Sequence, residues 1–196
     1  MMARRILIID GHPDASSERY VHALSAAYRD GARAGGYEVR GIVVSELEFT
    51  LLRTSEEFRS GTPSEIIRAC QQDLAWADHI VILFPLWLGS MPALLKGFFE
   101  QLLRPGFAFA AAERPGLQRK LLRGRSARII VTMGMPALFY RWYLRTHGLK
   151  SLERNILRFC GLGPIRACVV GPVESMGPAG RGNWLARVHR LGKQAS

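Results

Sequence analysis

Short apolar runs alternate with stretches of helical periodicity through most of the chain. Five apolar runs stand out: Arg4 to Asp10, Tyr37 to Val44, His79 to Pro85, Ala127 to Met133 and Ile165 to Gly171. Strands that are apolar on both faces belong to a parallel sheet covered on both sides, so the alternation predicts an α/β fold with five strands. Between the first two, Ser16 or Ser17 suits a helix cap. Val21, Leu24 and Tyr28 follow on one face, and Gly35-Gly36 marks the helix end. A second helix is expected to be capped by Thr62 and to start at Pro63, with Ile66, Ile67, Cys70 and Leu74 as its buried stripe; a third opens at Pro92 and runs through Leu103; a last one spans about Gly180 to Leu191. Two segments break the alternation: a polar excursion from Phe49 to Ser60, and a long connection from Arg104 to Ser126 punctuated by Pro105, Pro115 and Gly124. Connections of that length in compact domains are usually functional or cover something.

Composition narrows the class. A chain of 196 residues with 48% hydrophobic content supports one core, and no compositional shift marks a second, so residues 1–196 read as a single domain. Cys70, Cys160 and Cys168 are too few and too scattered for a disulfide framework, and no Cys-x-x-Cys pair points to zinc; a reducing cytoplasm is expected, and no metal site. The opening MMARRILIID has neither the length nor the cleavage site of a signal peptide, and the apolar runs are broken well short of a membrane span. The net charge of +11 raises nucleic acid as a partner, but the arginines are spread from Arg4 to Arg190 with only a modest cluster between Gly116 and Arg128, and no aromatic stacking motif accompanies them. A surface that attracts anionic cofactors is the reading adopted, without nucleic acid.

Open parallel sheets bind ligands beyond the carboxyl ends of their strands, where strand order reverses, so the loops after the first, third and fourth strands carry the candidate chemistry. The first reads Gly11-His12-Pro13-Asp14-Ala15-Ser16-Ser17-Glu18-Arg19. Backbone N–H groups, hydroxyls and a nearby His or Arg make such a loop an anion site suited to phosphate, although its serines equally suit plain helix capping. It lacks the glycine spacing of dinucleotide folds and of P-loops. The second, Phe84 to Pro92, is apolar and aromatic where polar turn residues are expected; Trp87 and Leu88 suit the wall of a planar heterocycle's pocket, or else an interface or core packing. The third runs from Thr132 through Met133, Gly134, Met135 and Pro136 to Tyr140, with Tyr143 and His147 beyond, where Gly134 permits close backbone approach.

These residues together resemble the NAD(P)H:quinone oxidoreductase family of flavodoxin-like proteins, which includes DT-diaphorase, bacterial modulators of drug activity and the ancillary oxidoreductases of potassium-efflux systems. The resemblance rests on His12 with Ser16-Ser17, on FPLWLGSMPALLKGFFEQLLRPGFAF (Phe84 to Phe109), on Thr132 to Tyr140, and on Arg158 to Leu162. It implies a three-layer flavodoxin-like sandwich with strand order 2-1-3-4-5. It also implies a flavin, FMN or FAD, with NAD(P)H as hydride donor and a quinone or similar electron-poor aromatic as acceptor. By that resemblance His12, Ser16, Ser17 and Arg19 hold the flavin phosphate, Pro85, Leu86, Trp87 and Leu88 line the ring, and Thr132, Met133, Gly134 and Met135 meet its other edge. Tyr140 matches the family tyrosine that stabilises reduced flavin. His147 lies one position out of register with the family histidine, and Met135 stands where the best-known member has a second Gly. Homodimers are the family habit. A regulatory subunit docking on a membrane transporter with little turnover is the alternative reading, with a peripheral rather than integral place at the membrane.

Overall fold

The computed structural model describes residues 4–111, 118–135 and 145–195. The five expected strands form within a residue of their sequence bounds: β1 (Arg5–Asp10), β2 (Glu38–Val43), β3 (His79–Pro85), β6 (Ser126–Thr132) and β7 (Ile165–Val170). They pair in parallel as β2-β1-β3-β6-β7, which is the order 2-1-3-4-5 that the resemblance implies. Helix α1 (Tyr20–Ala34) and the last helix, α7 (Pro178–Lys193), cover one face; α3 (Glu65–Trp76) and α4 (Ala93–Leu102) cover the other.

Strand alternation divides the core in two. Ile6, Ile8, Val81, Leu83, Ile130 and Val170 meet Val21, Leu24 and Tyr28 of α1 and Val188 of α7. Leu7, Ile9, Ile80, Ile82, Ile129 and Val131 meet Ile67, Cys70 and Leu74 of α3 and Leu95, Phe98 and Leu102 of α4. Helices α1 and α7 touch backbone to backbone. A Cβ on Gly31 would lie 1.9 Å from the His189 carbonyl oxygen, and one on Gly192 would lie 2.2 Å from that of Tyr28.

Several local expectations are corrected. Helix α1 starts at Tyr20 with Arg19 at its N-cap and no side-chain cap bond, so Ser16 and Ser17 lie in the loop and cap nothing. Asp14 takes the Ser16 N–H instead, and a turn closed by the Arg19 N–H on the Ser16 carbonyl (3.1 Å) precedes the helix. The second helix is capped by Ser64, whose Oγ accepts the Ile67 N–H, and Ile66 faces outward at 39% exposure. The polar excursion contains a short helix, α2 (Ser55–Ser60), with Thr54 as its cap. The long connection holds an antiparallel hairpin of β4 (Phe109–Ala111) and β5 (Gln118–Lys120). A helical segment that the sequence does not announce begins at His147: α5 (His147–Ser151) passes through a π-helical turn (Leu152–Leu157) into α6 (Arg158–Cys160). All three cysteines are buried, and none is in a disulfide among the described residues. Among the described residues no helix is long and apolar enough to cross a membrane, and no cluster of metal-ligating side chains forms.

Candidate cofactor site

The register of the sheet brings Asp10, Leu83, Pro85, Thr132 and Val170 to one edge. Strand order reverses between β1 and β3 there, so the loops after β1 and β3 part and leave a crevice. A cleft of about 320 Å³ opens at this edge, lined by His12, Arg19, Pro85, Leu86, Trp87, Thr132, Met133 and Gly134 among others. Eight of the sequence-predicted residues therefore converge. Ser16, Ser17, Leu88 and Met135 lie outside the lining, and His147 is an exposed residue at the start of α5. Tyr140 and Tyr143 fall outside the described residues.

The β1–α1 loop is held by its own polar groups. Asp10 ends β1 at 3% exposure; its Oδ1 accepts the His12 N–H (3.2 Å) and its Oδ2 meets His22 Nδ1 (2.8 Å). The other nitrogen of His22 faces the Asp14 carbonyl at 2.9 Å. Burial works against the charged form of His22, but the bonds to Asp10 and Asp14 outweigh it and raise its pKa above the ordinary histidine value. His12 is the opposite case. Burial, with the neighbouring His22 adding to it, holds His12 below the ordinary value against the pull of the Asp14 carbonyl. His12 Nδ1 lies 3.0 Å from the Asp14 nitrogen and 3.1 Å from the Asp14 carbonyl oxygen, so both backbone groups of Asp14 hold the ring in place. Arg19 Nε donates to Asp14 Oδ2 (2.6 Å), and the Ser16 N–H and Arg19 together depress the Asp14 pKa. The hydroxyls of Ser16 and Ser17 make no hydrogen bond among the described residues.

The apolar wall is a tight turn. Trp87 and Ser90 exchange backbone hydrogen bonds of 2.9 Å, with Leu88 and Gly89 at φ 47° and 79° between them. A leucine in the left-handed region is strained, and such outliers cluster at functional sites. Trp87 is 50% exposed and Leu88 fully so, an apolar tip that a flat ligand or a partner would cover. Trp87 also stacks edge-on against His12, at 6.2 Å between ring centroids, linking the two loops. Gly148 of α5 presses on the turn: a Cβ there would lie 2.1 Å from the Gly89 carbonyl oxygen.

The third wall is backbone. Leu86 N–H bonds the Thr132 carbonyl (2.7 Å), pinning the β3 loop to β6, while the N–H groups of Gly134 and Met135 have no partner among the described residues. The residues the sequence reading missed lie around this frame. Tyr20 Oη donates to the Arg181 carbonyl (2.7 Å) with the Arg181 guanidinium over its ring (5.7 Å), which closes the cleft's far side, and the Glu174 carboxylate lies over Gly134. Asp10 was the one signal available: an acid ending a buried strand, directly before the loop.

An anion-suited loop, a flat apolar wall and open backbone donors at the switch point of a doubly wound parallel sheet define a flavodoxin-like cofactor-binding protein. The chain belongs to the Flavodoxin_2 family, described as flavodoxin-like fold, whose model matches residues 4–189. It is 27% identical to NAD(P)H dehydrogenase [quinone] 1 of Rattus norvegicus over 92% of this chain and 73% of that protein. Two solved structures share the fold. The NAD(P)H:quinone oxidoreductase from Methanothermobacter marburgensis has a TM-score of 0.83 at 17% identity, covering 99% of this chain and 98% of its own. An FMN-dependent NADH-azoreductase from Bacillus anthracis, in complex with FMN, has a TM-score of 0.78 at 15% identity, covering 98% of this chain and 99% of its own.

Proposed function

We propose that this protein is a flavin-dependent NAD(P)H:quinone oxidoreductase that reduces quinones or similar electron-poor aromatics two electrons at a time. The observation that carries the reading is the convergence of the His12–Arg19 loop, the Pro85–Trp87 wall and the Thr132–Gly134 backbone on one cleft. The rat relative's name and the FMN complex of the azoreductase support it. FMN is the cofactor we favour, since the loop offers one phosphate-sized group of donors.

The residues present fit that group. Arg19, the His12 ring and the Ser16 and Ser17 hydroxyls are the groups that would hold the phosphate; Asp14 is engaged by Arg19, and Glu18 and Glu174 also line the cleft. Pro85, Leu86 and Trp87 supply the flat apolar face, and the Gly134 and Met135 N–H groups supply donors for a carbonyl-bearing ring edge. The chemistry the flavin supplies when bound is two-electron transfer, with hydride taken from NAD(P)H and passed to the acceptor in a ping-pong sequence. The protein's part is to exclude water at the Trp87 wall and to hold fixed dipoles at the pyrimidine edge, where negative charge grows. Tyr140 is assigned the neighbouring stabilising role and His147 a lesser one at the α5 start, both by resemblance.

The reading includes a homodimer in the cytoplasm. The exposed Trp87 and Leu88, and a second apolar cleft of about 300 Å³ walled by Phe58, Phe99, Phe109 and Phe159, supply apolar surface for a second copy, and a dimeric mass by light scattering checks this. The enzymatic reading is tested on FMN-loaded protein with NADH or NADPH and benzoquinone. Rapid oxidation with parallel double-reciprocal lines is expected; no oxidation above free FMN would overturn it.

A further inference from the structure

Asp14 is the residue from which the β1–α1 loop hangs. Its backbone N–H and carbonyl lie 3.0 and 3.1 Å from His12 Nδ1, its Oδ1 accepts the Ser16 N–H at 2.9 Å, and its Oδ2 accepts from Arg19 Nε at 2.6 Å. His12, Ser16 and Arg19 are thus all placed by one residue. Asp14 is tied down in turn by His22, in the first turn of α1. His22 Nε2 faces the Asp14 carbonyl at 2.9 Å and Nδ1 faces Asp10 Oδ2 at 2.8 Å. Asp10 is the buried last residue of β1, so His22 fastens the loop to the sheet without itself being among the residues that line the cleft.

Both partners of the ring are acceptors, a carboxylate and a carbonyl. A neutral ring turns a lone pair toward one of them, and only a proton on each nitrogen serves both. The charged groups that act on His22 are Asp10, from β1, and Asp14, from the loop, and both favour the protonated form. The third titratable neighbour is His12, its ring centroid 5.3 Å away, which burial pushes toward the neutral form; Arg19 acts on Asp14.

We propose, resting on the cofactor reading above, that His22 is a positioning residue for the cofactor phosphate and that its doubly protonated ring makes the loop select phosphorylated over unphosphorylated flavin. Loss of a proton releases either Asp14, and with it the placement of Ser16 and Arg19, or the anchor on Asp10, and it removes a positive charge from beside the loop. The Pro85–Trp87 wall belongs to the β3 loop and makes no hydrogen bond to His22 among the described residues, so a flavin without phosphate does not sense the change. The coupling is reciprocal: phosphate that binds the protonated loop more tightly raises the His22 titration midpoint by the same factor.

The test has two readouts. In the first, apoprotein is titrated with FMN and with riboflavin from about pH 7 to about pH 9, above the second phosphate ionisation near 6, so that the charge of the phosphate is constant. FMN affinity is expected to fall about tenfold across that range and riboflavin affinity to stay level, while His22→Gln binds FMN at the weaker, high-pH strength throughout. In the second, the His22 ring nitrogens of ¹⁵N-labelled protein, assigned by their absence from His22→Gln, are followed through the same range. FMN is expected to move their midpoint up by about one pH unit, which is the same tenfold, and riboflavin to leave it in place. The wild-type arms decide the matter if His22→Gln does not fold. FMN affinity that is level with pH, a slope shared by riboflavin or kept in His22→Gln, or a His22 midpoint indifferent to FMN would each overturn the proposal. Failure to bind FMN at any pH would overturn the cofactor reading as well.

Discussion

His22 holds two oxygen acceptors at once, Asp10 Oδ2 at 2.8 Å from Nδ1 and the Asp14 carbonyl at 2.9 Å from Nε2. Only the doubly protonated ring satisfies both, so the loop proposed to receive the cofactor phosphate is stapled by an imidazolium over a buried carboxylate. A histidine whose folded pKa is raised contributes stability that is complete below its unfolded pKa and is lost as pH rises through the folded value. The protein is therefore expected to lose stability as pH climbs past the ordinary histidine range near 6.5, and His22→Gln is expected to flatten that slope. Thermal midpoints of the two proteins across pH 5 to 9 check this. His22→Ala, which strands Asp10, is expected to cost about 1–3 kcal/mol.

Trp87 is half exposed and meets His12 edge-on, so it is expected to contribute little to folding and much to a bound ring. Trp87→Ala is expected to weaken FMN binding about tenfold while shifting the chain's own stability by about 0.5 kcal/mol or less. Flavin fluorescence titration beside thermal unfolding of the apoprotein separates the two effects.

Arg19 is an exposed partner of Asp14, and removing an exposed pair changes stability little. Arg19→Ala is expected to weaken FMN by about tenfold and leave riboflavin, which lacks the phosphate, unaffected. Equal loss for both ligands would show that Arg19 shapes the loop and does not touch the phosphate.

Gly31 sits where α1 and α7 meet, with the His189 carbonyl occupying the place of a Cβ. Gly31→Ala must push α7 off the sheet. A loss of about 1–3 kcal/mol or more is expected, although alanine is the better helix former, and chemical denaturation measures it.

The sheet was legible because continuous apolar runs in a chain of this length have few other uses, and each strand formed within a residue of its pattern. The helix starts were less so. Serines at 16 and 17 have the chemistry of caps, but Asp14 captures the Ser16 N–H and delays α1 to Tyr20. Thr62 and Ser64 are equally good caps on paper, and burial of Ile67 with exposure of Ile66 decided between them. Most of the cofactor cleft was visible because its residues follow strand ends. Tyr20 and Arg181 were not, since they reach the cleft through the packing of α1 against α7, a contact between residues about 160 apart.

The most direct test of the central claim is a fluorescence titration of apoprotein with FMN, and in parallel with FAD and riboflavin. Saturable FMN binding at micromolar or tighter affinity, stronger than riboflavin and weakened by both Arg19→Ala and Trp87→Ala, is the predicted result. Binding of none of the three flavins by the folded protein would contradict the cofactor site and the quinone-reducing activity that depends on it.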